Sequence, residues 1–298
     1  MNCSDRLAQP DRQWGTLSPG PGQGSESAPS PQNVSNQHSA TNAFTQANRR
    51  SGRGSRNNTS QHCTRHTFLV NVGSPTEATV EQSIASIAHN LARGAELGCL
   101  GVVVHAGSAV GDDRYEAALR QLHERLLPVL DAAPADGPRL LIEPTAGGGK
   151  SLAATVEDLG PYLAALENHP LVGVCFDTCH AWAAGHDLTV PGGMTATLDA
   201  LEATVGAGRL GLVHANDSLD ECGSKRDRHT TIGEGSIGVA PFAELLAHPS
   251  MAGVPVVVET PSELDGSPSA GHKRDIDLLN DLAVLRTAPR PMAVPLAS

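Results

Sequence analysis

Apolar runs of strand length alternate along this chain with longer stretches in which apolar residues recur at helical spacing. The runs are FLVNV (68–72), LGVVVH (100–105), RLLIEP (139–144), LVGVCFD (171–177), RLGLVHAND (209–217) and VPVVVET (254–260). Between them lie TVEQSIASIAHNLARGAEL (79–97) and YEAALRQLHERLLPVL (115–130), and DIDLLNDLAVLR (275–286) follows the last run. Strands that are apolar throughout, rather than at every second residue, are covered on both faces, and a helix after each strand makes the sheet parallel. The pattern predicts an α/β fold, a TIM (β/α) barrel whose chemistry sits at the C-terminal ends of its strands. A closed barrel of this kind has about eight units. Six are recognisable here, so the expected barrel is incomplete.

The periodicity starts only near residue 66. Residues 1–62 consist mainly of Ser, Gly, Asn, Gln, Pro, Thr and Arg, with two Leu, one Val and no Ile. Such a segment buries too little apolar surface to offset the entropy of ordering, and it is expected to be a disordered tail. The expected organisation is therefore a low-complexity tail at 1–62, a barrel at 66–290 and a flexible C-terminus at 291–298. The tail carries six Arg against three acids, a charge of 6 − 3 = +3, which leaves −11 − 3 = −14 on the rest of the chain. A basic arm of this kind either touches nucleic acid or is simply a solvated tail. The acidic remainder argues against a broad basic face on nucleic acid, while leaving room for a positive site built by bound cations. No stretch reaches the roughly 20 apolar residues that span a bilayer, and the N-terminus lacks an export signal. Six cysteines without a C-x-x-C pair indicate reduced thiols, and a cytoplasmic, membrane-free, monomeric protein is expected.

The strand ends change the picture. The second strand ends in His105, the third in Glu143, the fourth in Asp177, the fifth in His214 and the sixth in Glu259, with His180 and the triplet Asp227-Arg228-His229 just beyond strands four and five. These are eight potential ligands, four carboxylates and four imidazoles. A capping acid or a satisfied histidine explains one such strand end, but not five in succession. Four carboxylates gathered without cations repel and raise one another's pKa. Mixed oxygen and nitrogen donors suit zinc or manganese, and since one zinc takes about four ligands, eight donors point to two or three metals.

The motifs VVVHAGS (102–108), LLIEPTAGGGKSL (140–152), GVCFDTCHAWAAGHDL (173–188), VHANDSLDECGSKRDRHTTIGEGSIG (213–238) and VVVETP (256–261) resemble, in order and spacing, the endonuclease IV family of apurinic/apyrimidinic endonucleases. The resemblance covers about residues 66–290. It implies a xylose isomerase-like TIM barrel holding up to three Zn2+, with Mn2+ an alternative at one position. It also implies a DNA-repair enzyme that cuts the backbone of double-stranded DNA 5′ to abasic sites, leaving a 3′-hydroxyl and a 5′-deoxyribose phosphate. Carried over by motif, Glu143 bridges two metals and is the catalytic residue. His105 completes the first site, Asp177, His214 and Glu259 the second, and His180, Asp227 and His229 the third.

Two departures stand out. The family pattern H-x-P-Y-L-x-N is represented here by TRHTFLVNV. Aligning Asn71 with the pattern's Asn puts Arg65 at the ligand position and His66 one place late, where a strand side chain faces the opposite way. His66 is thus a tentative ligand, and fewer than three zincs follow if it does not bind. The family's first two βα units have no counterpart in residues 1–62, and an incomplete barrel exposes two strand edges. Three rival readings accompany the nuclease. EPTAGGGKS (143–151) has the context of a phosphate loop, but Pro144 stands where that loop needs Gly. A sugar isomerase or epimerase on the related barrel needs only Glu143, Asp177, His214 and Glu259 around one metal. A metal-binding remnant without turnover is the third. Cys175 and Cys179 read as core packing, and His62, His169 and His186 as surface or turn residues.

Overall fold

The computed structural model describes residues 63–65, 70–264 and 266–287. The expected tail at 1–62, the C-terminal segment 291–298 and the tentative ligand His66 lie outside the described residues. The elements run β1 (Cys63–Arg65), α1 (Glu77–Leu97), β2 (Gly101–His105), α2 (Tyr115–Gln121), α3 (Leu127–Asp131), β3 (Arg139–Glu143), α4 (Leu159–Ala165), β4 (Val172–Asp177), α5 (Thr178–Ala184) and α6 (Gly193–Val205). They continue with β5 (Leu210–His214), β6 (Asp217–Ser218), β7 (His229–Thr230), α7 (Ala240–Ala247), β8 (Val256–Val257) and α8 (Ala270–Thr287). Six strands form one parallel sheet in the order β1-β2-β3-β4-β5-β8, and β6 and β7 form a small antiparallel pair beyond β5. The sheet has as many strands as there are apolar runs, and they lie in sequence order, as a (β/α) barrel wall requires.

Alternation along each strand divides the core in two. The outward side chains, among them Val102, Val104, Ile142, Val174 and Phe176, pack with Ile87, Leu122, Leu163, Leu198 and Phe242 of the helices. The inward ones form a separate small cluster of Val103, Leu141, Cys175 and Leu212, with Val257 packed against it. Each of β2, β3, β4, β5 and β8 thus supplies one inner residue. Beneath this layer the guanidinium of Arg139 donates to the carbonyls of Gly208 and Arg209, at 3.1 and 3.2 Å, and closes the N-terminal end of the interior. Gly173 is required there, because a Cβ would come within 2.6 Å of Arg139 Nη2.

Two strands differ from the sequence pattern. The run at 68–72 does not extend as a strand through its described residues: the Asn71 side-chain oxygen accepts the N–H groups of Gly73 and Ser108, at 3.1 and 3.0 Å. This turn takes the backbone out of the sheet, and the first strand is Cys63–Arg65 instead. The last strand is short because Pro255 has no N–H to give, and the Glu259 N–H goes to Asn216 Oδ1 at 2.7 Å rather than to a neighbouring strand.

Leu141 is the β3 member of the inner cluster and is fully buried, so Leu141→Ala is expected to destabilise the fold by about 2–5 kcal/mol through the cavity it leaves. A urea unfolding series checks this: the midpoint falls while the slope is unchanged.

Candidate metal centre

Two residues beyond each member of the inner cluster, on the same side of its strand, stands a candidate ligand. Val103 leads to His105, Leu141 to Glu143, Cys175 to Asp177, Leu212 to His214 and Val257 to Glu259. The strand period of two therefore turns a ring of apolar side chains into a ring of acids and imidazoles one layer higher. The register completes the placement, since His105 pairs with Glu143 and Asp177 with His214 across adjacent parallel strands.

Glu143 lies at the middle and is fully buried. Its Oε1 is 2.9 Å from His214 Nδ1 and 3.6 Å from His180 Nδ1, and its Oε2 is 3.5 Å from His105 Nε2. His214 Nδ1 also faces Glu259 Oε2 at 3.4 Å and Asp177 Oδ2 at 3.8 Å. On the other flank, His180 Nε2 is 3.2 Å from Asp227 Oδ2 and His229 Nε2 is 3.0 Å from Asp227 Oδ1. Five groups of donor atoms have their members within 4.8 Å of one another; two include the buried thiols of Cys175 and Cys179, and the three without a cysteine are His105, Glu143 and His180; Glu143, Asp177, His214 and Glu259; and His180, Asp227 and His229. All eight expected ligands within the described residues come together. The grouping departs from the family pattern at one point, because His180 stands in two groups.

Local folding explains how β4 delivers two of them. Asp177 ends the strand and caps α5, its Oδ1 accepting the N–H of His180 at 2.9 Å. Strand passes to helix without a loop, so the imidazole emerges in the first turn beside the carboxylate, and Gly185 at φ +115° ends the helix a turn later. His180 Nδ1 donates to the Pro144 carbonyl at 2.9 Å, and His229 Nδ1 to the Glu259 carbonyl at 3.4 Å. Both rings are thereby held with Nε2 inward, as metal-binding histidines are held by the bond their other nitrogen makes.

The donor set fits divalent cations. Glu143 Oε2, His180 Nε2 and His229 Nε2 are buried and make no hydrogen bond, the nearby carboxylate oxygens being out of line with the ring nitrogens. Buried polar atoms are rarely left so, and here several point to shared positions. The protonation equilibria agree. Burial pushes the Glu143 carboxyl up, but the His214, His180 and His105 imidazoles outweigh it and hold it at about 2. Burial pushes His180 down, yet Asp177, Asp227 and Glu143 raise it to about 10; His214 is raised by Cys175 and Glu143, and His229 by Asp227 and Asp177. Without metal, protons on the imidazoles balance the carboxylates. The buried thiols of Cys175 and Cys179 are pushed up to about 12 by burial and stay protonated, as core packing predicts.

Two further histidines are structural: His186 Nε2 accepts the Val156 N–H at 3.2 Å, and His169 Nδ1 accepts the Leu171 N–H at 3.2 Å. The phosphate-loop context is absent, because the segment after β3 is bridged to the one after β2 (Ser108 with Ser151) and the next helix begins only at Leu159. Asn216, Asp217, Thr178 and Asp275, all buried around the centre, were not singled out by the sequence. Their one signal was the polar run Asn-Asp-Ser directly after an apolar strand.

A parallel α/β wall with a multi-donor metal centre at its C-terminal edge defines a barrel class, and residues 42–282 match the family described as xylose isomerase-like TIM barrel. Probable endonuclease 4 of Streptomyces avermitilis is 53% identical over 216 residues, 72% of this chain and 68% of that protein. The protein of the same name from Chloroflexus aurantiacus is 35% identical over 215 residues, 72% and 74% of the two chains. The crystal structure of endonuclease IV from Thermus thermophilus superposes with a TM-score of 0.63 at 34% identity, covering 74% of this chain and 76% of that one. A D-tagatose 3-epimerase-like protein, at TM-score 0.60 and 19% identity over 76% and 78%, shares the fold. This chain belongs to the endonuclease IV family.

Metal binding needs neutral imidazoles. His180 keeps its proton from the ordinary value of 6.5 up to about 10 in the metal-free fold, so protons compete with metal throughout that range and the competition weakens as pH rises. Zinc affinity, measured by competition with a chromogenic chelator at pH 6, 7 and 8, is therefore expected to tighten at each step, with proton release on loading.

Proposed function

We propose that this protein is a zinc-dependent DNA-repair phosphodiesterase that hydrolyses the backbone of double-stranded DNA 5′ to abasic sites, leaving 3′-hydroxyl and 5′-deoxyribose phosphate ends. The observation that carries the reading is the sharing of donors: among the three groups without a cysteine, Glu143 stands in two and His180 in two, so the groups are neighbours rather than separate sites. Family membership and the names of the relatives support it.

His105 and Glu143 would hold one cation, Glu143, Asp177, His214 and Glu259 a second, and His180 through Nε2, with Asp227 and His229, a third. Bound there, divalent cations supply Lewis-acid polarisation of phosphate oxygens and a lowered pKa for water between them. The chain's own part is positioning and proton transfer. Glu143 carries one oxygen toward each of two groups, and Oε2, which makes no hydrogen bond, takes the proton leaving the attacking water. The partly exposed group around Asp227 is assigned to the leaving 3′ oxygen, where negative charge develops. Lys225 and Arg226, exposed on the loop that carries Asp227, supply positive charge for DNA phosphates on an otherwise acidic protein. A nucleotide without its base is extruded from the stack at low cost, which provides the selectivity.

The four-donor group alone would serve a single-metal isomerase. The surplus of His105, His180, Asp227 and His229 favours the nuclease, and metal counting separates the two: about three zincs per chain against one metal. With a duplex carrying one abasic site, the protein is expected to nick 5′ to the lesion and to lose that activity to a strong chelator. Glu143→Gln is expected to lower kcat by about 10²–10⁴-fold. An intact duplex after incubation with zinc-loaded protein would exclude the nuclease and leave the binding remnant.

A further inference from the structure

The centre is held from behind by two adjacent residues that face opposite ways. We propose that Asn216 and Asp217 are positioning residues with divided duties, Asn216 fixing the four-donor group and Asp217 the group of His180, Asp227 and His229. The proposal rests on the zinc reading of the centre and concerns which ion each residue secures.

Asn216 is fully buried just past β5 and joins its two neighbours. Its Nδ2 donates to Asp177 Oδ2 at 2.7 Å, and its Oδ1 accepts the Glu259 N–H at 2.7 Å. One amide thus sets the carboxylate of one candidate ligand, at the end of β4, and the backbone of another, just past β8, and those strands do not pair with each other. Its own backbone is locked as well, its N–H donating to Thr178 Oγ1 at 2.9 Å while that hydroxyl donates to the Asn216 carbonyl at 2.6 Å.

Asp217 is fully buried, and its carboxylate is surrounded by backbone N–H groups. Oδ1 accepts from Ser218 and Ile237 at 2.8 and 2.9 Å, and Oδ2 from Gly233, Gly235 and Gly238 at 2.8, 3.2 and 3.1 Å. Both lone-pair sets are used to fold the segment 231–238 back on its start. That segment begins directly after β7, whose His229 pairs with Ser218 and whose Thr230 pairs with Asp217 itself. The carboxylate therefore anchors both ends of the excursion that carries His229. An amide in its place keeps the shape but sets an NH2 against N–H donors, which turns attraction into repulsion. Gly235 offers the same test from the loop side, because a Cβ there would collide with Asp217 Oδ1 and the Ser218 carbonyl.

The test is zinc retention in the full chain, loaded with zinc and dialysed, read as zinc per chain by mass spectrometry and as release rate to a chromogenic chelator. Asp217→Asn and Gly235→Ala are each expected to release one zinc at least 10-fold faster and to hold the rest as the parent protein does. Asn216→Leu is expected to loosen a different ion. Double variants identify which: Asp217→Asn adds nothing to His229→Ala but adds fully to Glu259→Ala, and Asn216→Leu behaves the other way round. A general loss of stability would speed release of every ion and add in all combinations, and that result overturns the proposal, as does unchanged retention in both loop variants. Parent protein that keeps its zinc but leaves abasic DNA intact refutes the nuclease reading alone, whereas parent protein that takes up no zinc refutes both.

Discussion

Glu143, Asp177 and Glu259 bring carboxylate oxygens within 4.8 Å of one another in a space largely shut off from water. Two unit charges at that distance repel by about 3 kcal/mol at an effective dielectric of about 20. Three mutual pairs, with Asp227 close by, cost a sizeable part of the roughly 5–15 kcal/mol by which domains are stable. The rest of the molecule is arranged around that repulsion. Imidazoles are interleaved with the acids, so His214 faces three of them and His180 and His229 both face Asp227. Cations in the same positions would replace the protons those rings now carry, with a larger charge and a fixed geometry.

What keeps such a cluster from relaxing apart is the wall beneath it. The inner apolar ring and the ligand ring are successive layers of the same strands, so moving one ligand means moving a strand whose other face packs against helices. Around the rim, four of the donors are tied by a bond that leaves another polar atom to face the centre: Asp177 by the cap on α5, His180 and His229 by backbone carbonyls, and Glu259 through its own N–H. On the far side, Asp275 of α8 accepts from Thr260 Oγ1 at 2.5 Å and from the Ile232 N–H at 3.2 Å, joining the Glu259 strand to the loop after His229. Support of this kind sets metal geometry as strongly as the ligands themselves.

The fold is shared with an epimerase-like protein at 19% identity, so the barrel by itself does not choose a chemistry. In this chain further donors adjoin the four-donor group. On the function proposed above, His105 on β2, His180 on α5 and the pair Asp227 and His229 would extend one metal position into three adjoining ones. A phosphodiester, with non-bridging oxygens to be held and a leaving oxygen to be neutralised, calls for that extension. A sugar carbonyl and its neighbouring hydroxyl do not.

The chain by itself determined the parallel α/β wall and marked eight candidate ligands, five at strand ends and three just beyond them, that the fold brings together. A continuous apolar run ending in an acid or imidazole is a local signal, and one residue at each end is enough to read it. It read His169 and His186 as surface or turn residues, and the structure gives each ring a backbone N–H to accept. Tertiary structure alone decided that His180 stands in two donor groups, that Asn71 caps a turn at Gly73, and that a β-hairpin after β5 presents His229. The polar run after β5 marks Asn216 and Asp217 only as polar, and their partners lie up to 43 residues away. Those features depend on which backbone groups find a partner once the strands are assembled, and a hydrogen bond across such a separation leaves no periodicity in the sequence.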